Sequence, residues 1–201
     1  LLPYALPLVV IGFAGMINET FDRILLNYLI PDVHEAKTQI GIYGACYKLS
    51  IIITLFIQAF RMAAEPFFFQ HADKKDAPQL YARVMYFFVA FCLVILFGTL
   101  FFMDTLQYFI GAQYRVGLGV VPILLVANLC LGIYYNLSIW YKLTNKTLAG
   151  SYITLFGAVI TLIINFAFIP QYGYVASAWA TLLCFAAMMI VSYAFGQRYY
   201  P

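Results

Sequence analysis

The chain has 201 residues, of which 65% are hydrophobic and 9% charged, and its mean hydropathy is +0.90. A soluble domain is about 45–50% apolar and about 25% charged, so so few charges cannot coat a water-soluble globule of this size. Disorder, collagen-like structure and nucleic-acid binding are excluded with it, because each needs more polar or basic surface, and a net charge of +3 spread over few groups makes no polyanion-binding face.

A helix crosses the hydrocarbon core with about 20 apolar residues. Six stretches qualify, 4–30, 39–66, 80–111, 116–141, 148–169 and 172–196, which predicts an all-α, polytopic transmembrane bundle. Continuous apolar runs such as 182–191 argue against a β-barrel, whose strands alternate over about ten residues.

The first span carries Pro7 and then a polar group, Asn18, Glu19, Asp22 and Arg23. Residues 31–37 join it to the second span, which contains Lys48. Residues 71–78 lead into the third, where 84–103 hold no charge at all. Asp104 to Arg115, with Gly111, mark the next turn. The fourth span holds Pro122, Asn128 and Asn136, and Lys142 to Lys146 close it. Residues 170–173 form a very short fifth turn, so the last two helices are expected to be antiparallel neighbours. In the sixth span Ala176, Ala180 and Cys184 give a small-residue face for close packing.

Lys and Arg in short loops set orientation. Arg61, Lys74, Lys75, Arg83, Lys142, Lys146 and Arg198 fall on one side, against Lys37 and Arg115 on the other. This count predicts that both ends of the segment lie in the cytoplasm. The four cysteines lie far apart in apolar runs and suggest buried thiols rather than a disulfide or zinc framework. His34 and His71 sit beside charged turns and read as surface histidines. No HExxH, GxSxG, P-loop or His-rich cluster is present, so neither a metal nor an enzyme is indicated. The opening Leu-Leu-Pro lacks a Met or a basic leader and suggests a piece of a longer protein.

A charge at the centre of a bilayer costs about 2.5–3.5 kcal/mol on insertion scales, so such groups pair or face a cavity. Counting inward from Ile30 and Gln39 puts Asp22 and Lys48 at similar depth, about 12–14 Å along each helix. Glu19 and Arg23 are spaced i,i+4 and stack on one face, as do Asn18 and Asp22. Two readings follow. Glu19–Arg23 and Asp22–Lys48 neutralise each other and pin two helices, or the belt lines a hydrated pathway in which Arg23 and Lys48 meet an anion. Asn128 and Asn136, eight residues apart, project from nearly one face as interhelical hydrogen-bond donors or cavity lining.

Pro7, Gly12, Asn18 and Asp22-Arg23, then Gly41, Tyr43, Lys48 and Leu49, then Phe56, Ala59, Ala64 and Pro66 follow one another in an order that resembles the second half of a polysaccharide flippase. Asn136, Trp140 and Thr144, then Asn165, Pro170 and Gly173, then Ala176, Ser177, Ala180 and Thr181 continue it. The chain is similar to the O-antigen type oligosaccharide flippases of the multidrug/oligosaccharidyl-lipid/polysaccharide exporter superfamily. At Val175-Ala176-Ser177 the family often has Gly-Ala-Ala.

The resemblance implies that residues 1–201 form one lobe of a two-lobe MATE-like transporter, working with an N-terminal lobe of the same full-length protein. It implies a bacterial inner-membrane protein that flips undecaprenyl-pyrophosphate-linked oligosaccharide by alternating access, in contact with membrane lipid and with no nucleic acid. Asn18, Glu19, Asp22, Arg23 and Lys48 would line the substrate pathway or hold a coupling proton or sodium ion; Asn128 and Asn136 are secondary cavity candidates. No cofactor is expected beyond that ion. A multidrug and toxin extrusion antiporter, a lipid II flippase and, from another class, a membrane polysaccharide polymerase stay open as alternatives.

Overall fold

The computed structural model describes residue 15 and residues 20–72, 74, 76–144 and 146–199. Every regular element among them is helical. Five helices are long and apolar enough to cross a membrane: Val33–Gln70, Ala77–Phe101, Ala112–Leu143, Leu148–Tyr172 and Tyr174–Arg198. Of the first predicted span the described part is helix α1, residues 20–29. Pro7, Asn18 and Glu19 lie outside the described residues.

Helix α1 stops at Ile30, whose following proline disfavours a helical backbone. Asp32 then caps α2 (Val33–Gln70), its Oδ1 accepting from the His34 amide at 2.8 Å. The cap starts α2 six residues before the predicted Gln39, so the charged stretch 34–37 is helix rather than loop. Thirty-eight residues make about 57 Å of helix, well beyond the about 30 Å of a hydrocarbon core. Its buried stripe returns every two turns, at Ala36, Tyr43, Ser50, Ile57 and Ala64.

Helix α3 (Ala77–Phe101) has Pro78 in its first turn, where no backbone hydrogen bond is lost. It buries Tyr81, Phe88, Cys92 and Leu96 while Tyr86, Phe87, Phe91 and Phe97 stay exposed, as on a helix facing lipid. The predicted third span runs too far: after Phe101 come only the short α4 (Met103–Leu106) and a 3₁₀ turn, Gln107–Phe109.

The predicted fourth span, 116–141, falls within Ala112–Leu143, which is built of three successive helical pieces. A 3₁₀ segment, Ala112–Val120, precedes α5 (Val121–Leu137), and α6 (Ile139–Leu143) follows a break at Ser138. Gly117 explains the close approach of the 3₁₀ segment to α2. A Cβ there would lie 2.8 Å from the Cys46 sulfur and overlap Ile42. Pro122 therefore sits in the first turn of α5 and does not bend a helix interior.

Helix α7 (Thr147–Tyr172) runs through Pro170 and ends at Gly173, whose φ is 55°. A Cβ at Gly173 would overlap the Gln39 amide, and Gln39 Oε1 accepts from the Tyr174 amide at 3.0 Å. The start of α2 thus holds the turn into α8 (Tyr174–Tyr199). Helix α5 is packed by α2, α3 and α8, and α7 packs chiefly on α8 while Thr154 reaches the Tyr134 hydroxyl of α5 at 3.2 Å. Gly132 lets α5 approach: a Cβ there would lie 2.8 Å from the Phe88 ring and 3.0 Å from Ile57. Ala176, Ala180 and Cys184 are all buried on α8, in keeping with a close-packing face.

Candidate functional site

Asp22 enters the bundle from α1 and is 2% exposed. Its carboxylate meets neutral groups from three other helices. Tyr43 on α2 donates to Oδ2 at 2.9 Å, Thr181 on α8 donates to Oδ2 at 3.0 Å, and Asn165 on α7 donates to Oδ1 at 3.0 Å. Ser177 donates in turn to Asn165 Oδ1 at 3.1 Å, which fixes the amide with its NH₂ toward Asp22.

Thr181 also lies 2.9 Å from the Ser177 carbonyl and 3.3 Å from the Tyr43 hydroxyl. One hydroxyl carries one proton, so Thr181 serves either the carboxylate or the carbonyl at a given moment. The donors around Asp22 are therefore sufficient for a charged carboxylate and adjustable by one bond. Buried charges ordinarily require such hydrogen bonds or a counter-charge.

The expected Asp22–Lys48 pair is not formed. Lys48 is exposed, and among the described residues ion pairs occur only at Glu65. The depth estimate failed because it started α2 at Gln39; from the true start at Val33 the residue level with Asp22 is Tyr43, about 7.5 Å from Lys48 along the helix. Arg23 lies beside Asp22 in the chain, with its guanidinium 5.3 Å from the Tyr47 ring centre. Its Nε is buried without a hydrogen-bond partner.

Asn128 and Asn136 lie on α5 in different surroundings. Asn128 is buried and reaches Ser50 on α2 at 3.4 Å, besides its own helix at Leu124, 2.9 Å. Asn136 donates to the Gly132 carbonyl of its own helix at 3.2 Å and borders a cleft between α3 and α8. Glu19 and Asn18 lie outside the described residues. The sequence reading missed Tyr43, Asn165 and Thr181 as partners of Asp22, and Ser177 behind Asn165, although each stands in a motif that carries the family resemblance.

A second polar centre joins α2 to α6 about 33 Å further along α2. Glu65 binds Lys142 directly and Arg61 at 3.3 Å, and the Arg61 guanidinium lies 4.6 Å from the Tyr135 ring centre. Among the described residues, no three His, Cys, Asp or Glu side chains gather to hold a metal ion.

No protein-family profile matches the chain. No solved structure matches it either. The chain is similar to the probable low-salt glycan biosynthesis flippase of Haloferax volcanii, with 22% identity over 170 residues, covering 83% of this chain and 36% of that protein. It therefore spans about a third of the length of the curated relative it matches. This distant likeness and the five apolar helices fit a multi-pass membrane protein of the transporter kind.

Proposed function

We propose that this chain forms one lobe of a flippase that carries a lipid-linked oligosaccharide from one membrane leaflet to the other by alternating access. The observation that carries the reading is a pair of cations at membrane depth without a carboxylate partner among the described residues. Lys48 is exposed in the middle third of α2, and Arg23 has an unsatisfied Nε. Charges at that depth belong to a cavity, not to lipid. Facing a second lobe, they would offset the cost of bringing the pyrophosphate of a polyprenyl carrier, or an acidic sugar, through the membrane. The printed name of the Haloferax relative, a glycan biosynthesis flippase, supports the same substrate class.

No bond is made or broken in this scheme; the work is conformational. Asp22 would hold the coupling cation, a proton or a sodium ion, among Tyr43, Asn165 and Thr181. Binding would neutralise a buried carboxylate on which four helices converge, and so favour one packing of those helices over the other. The excess of Lys and Arg around connections 71–76 and 144–146 supports a cytoplasmic location for both ends of the segment.

The test uses the full-length gene. After its deletion, radiolabelled lipid-linked oligosaccharide is expected to accumulate as complete, unpolymerised units on the cytoplasmic side. Wild type should rescue, and Lys48→Ala should not, although the variant reaches the membrane. Single units collecting on the outer side would instead indicate a polymerase.

A second reading draws on Asp22 itself. A buried carboxylate without an ion pair among the described residues also suits a multidrug and toxin extrusion antiporter, which exports organic cations. Normal surface polysaccharide with a new sensitivity to cationic drugs in the deletion strain would favour that reading.

A further inference from the structure

A second feature lies away from both polar centres, at the end of the bundle where α7 begins and α8 ends. There the two helices diverge around α6 and leave an apolar groove of about 460 Å³, within the range of about 300–1,000 Å³ typical of small-molecule sites. Trp140 forms its floor, Ile153 and Phe156 one wall, Val191 and Phe195 the other. Lys146 stands at its mouth and is exposed.

The groove opens in the flank of two helices long and apolar enough to cross a membrane. It runs beside α7 from Ala149 to Phe156, about 10 Å of helix, and between those ends its lining is apolar apart from the Tyr152 hydroxyl. Its mouth is different. Lys146 there is the residue directly before α7 and so stands at the positive end of that helix's dipole. Charge is also unequal between the two ends of the bundle. Among the described residues the end with the groove holds six Lys and Arg against Glu65 and Asp76, while the opposite end holds Lys37 and Arg115 against Asp32, Glu35 and Asp104.

We propose that this groove binds one anionic glycerophospholipid, with an acyl chain laid along α7 and α8 and the phosphate at Lys146. An apolar chain alone would be indifferent to which end of the bundle it joined. A zwitterionic headgroup would gain less from the positive mouth. A carrier lipid in transit must leave one leaflet for the other, whereas this groove lies wholly at one end, away from Asp22. It therefore fits a resident lipid of one leaflet that fills the gap between α7 and α8, whatever the protein transports.

Trp140 supplies the probe: it is 3% exposed and borders both this groove and the cleft beside Asn136, whereas Lys146 borders the groove and not that cleft, so the Lys146 variant assigns the quenching to the groove. The full-length protein is placed in phosphatidylcholine vesicles doped with phosphatidylglycerol carrying brominated chains, which quench indole on contact. The emission assigned to Trp140 is the difference between wild type and Trp140→Phe. Several-fold stronger quenching by brominated phosphatidylglycerol than by the same fraction of brominated phosphatidylcholine is expected, and Lys146→Gln should abolish the preference. Trp179, on α8 near its other end and 48% exposed, should be quenched equally by both lipids. Equal quenching of Trp140 by the two lipids would reduce the groove to ordinary lipid contact. Quenching by neither would mean that protein covers it. Displacement of the brominated lipid by a stoichiometric amount of polyprenyl phosphate would assign the groove to a carrier lipid instead. Each of these three results overturns the proposal.

Discussion

Asp22 and Glu65 are both carboxylates held against α2, yet they are held in opposite ways. Asp22 is buried among Tyr43, Asn165 and Thr181, all of them neutral. Glu65 has a side chain 37% exposed and sits between Lys142 and Arg61. A fixed cation beside a carboxylate leaves no charge for an incoming one to cancel. Hydrogen bonds from neutral groups hold the carboxylate in place while leaving its charge available. The first arrangement suits a clasp between α2 and α6; the second suits a position that a mobile cation enters and leaves. The difference also separates what each does for the fold, because four helices meet at Asp22 and two at Glu65.

The largest effect is expected from Asp22→Asn. An asparagine has the same shape, and the Tyr43 and Thr181 hydroxyls can accept from its amide as readily as they donate to a carboxylate, so the bundle should still assemble. Only the charge is lost. Transport by the full-length protein should fall by an order of magnitude or more, with near-normal amounts of protein in the membrane and near-normal thermal unfolding in detergent. Retained transport would make Asp22 a packing device like Glu65, and the contrast between the two centres would collapse.

Tyr43→Phe should produce an intermediate effect. It removes the donor to Asp22 Oδ2 and leaves the ring in place at a position 1% exposed. A hydrogen bond to a charged group contributes about 1.5–3 kcal/mol, and Thr181 can recover part of this by turning its proton from the Ser177 carbonyl to the carboxylate. A lower unfolding temperature with reduced but measurable transport is expected. If Thr181→Val in the same background adds no further loss, Thr181 does not take over from the missing Tyr43 donor.

The sequence made the spans legible but not the contacts inside them. Long apolar runs located α3, α7 and α8 to within a few residues at most of their ends, because the bilayer imposes length and hydrophobicity together. It misplaced the start of α2, since residues 34–37 look like a polar loop; the signal available was Asp32, an N-cap residue directly before the helix. It read 116–141 as one helix, although Gly111, Gly117 and Gly119 accompany the 3₁₀ segment that brings Ala112–Val120 against α2. The error at Asp22 had a different origin. Opposite charges advertise themselves in a sequence, which puts Lys48 forward as one candidate partner beside the alternative of a hydrated pathway. Tyr43, Asn165 and Thr181 are common neutral residues separated by up to 138 positions, and no periodicity links them before the helices are packed.

The smallest effect should come from Glu65→Gln, and it tests the other side of the comparison. Lys142 has a side chain 26% exposed and Arg61 41%, so both can turn to water once the carboxylate charge is gone. Ion pairs with that much access to solvent contribute about 0–1 kcal/mol, and the glutamine carbonyl can still accept one of the two donors. The Arg61 guanidinium also keeps its place over Tyr135 at 4.6 Å, an interaction of about 0.5–1 kcal/mol in exposed settings. Unfolding temperature should therefore change little, and raising the salt concentration should reduce the difference from wild type further, since screening acts on exposed pairs first. A loss of transport in Glu65→Gln without a loss of stability would give this centre a part in the transport cycle. In that case a clasp between α2 and α6 that opens and closes, and not the static joint inferred from its two cations, would be the counterpart of Asp22.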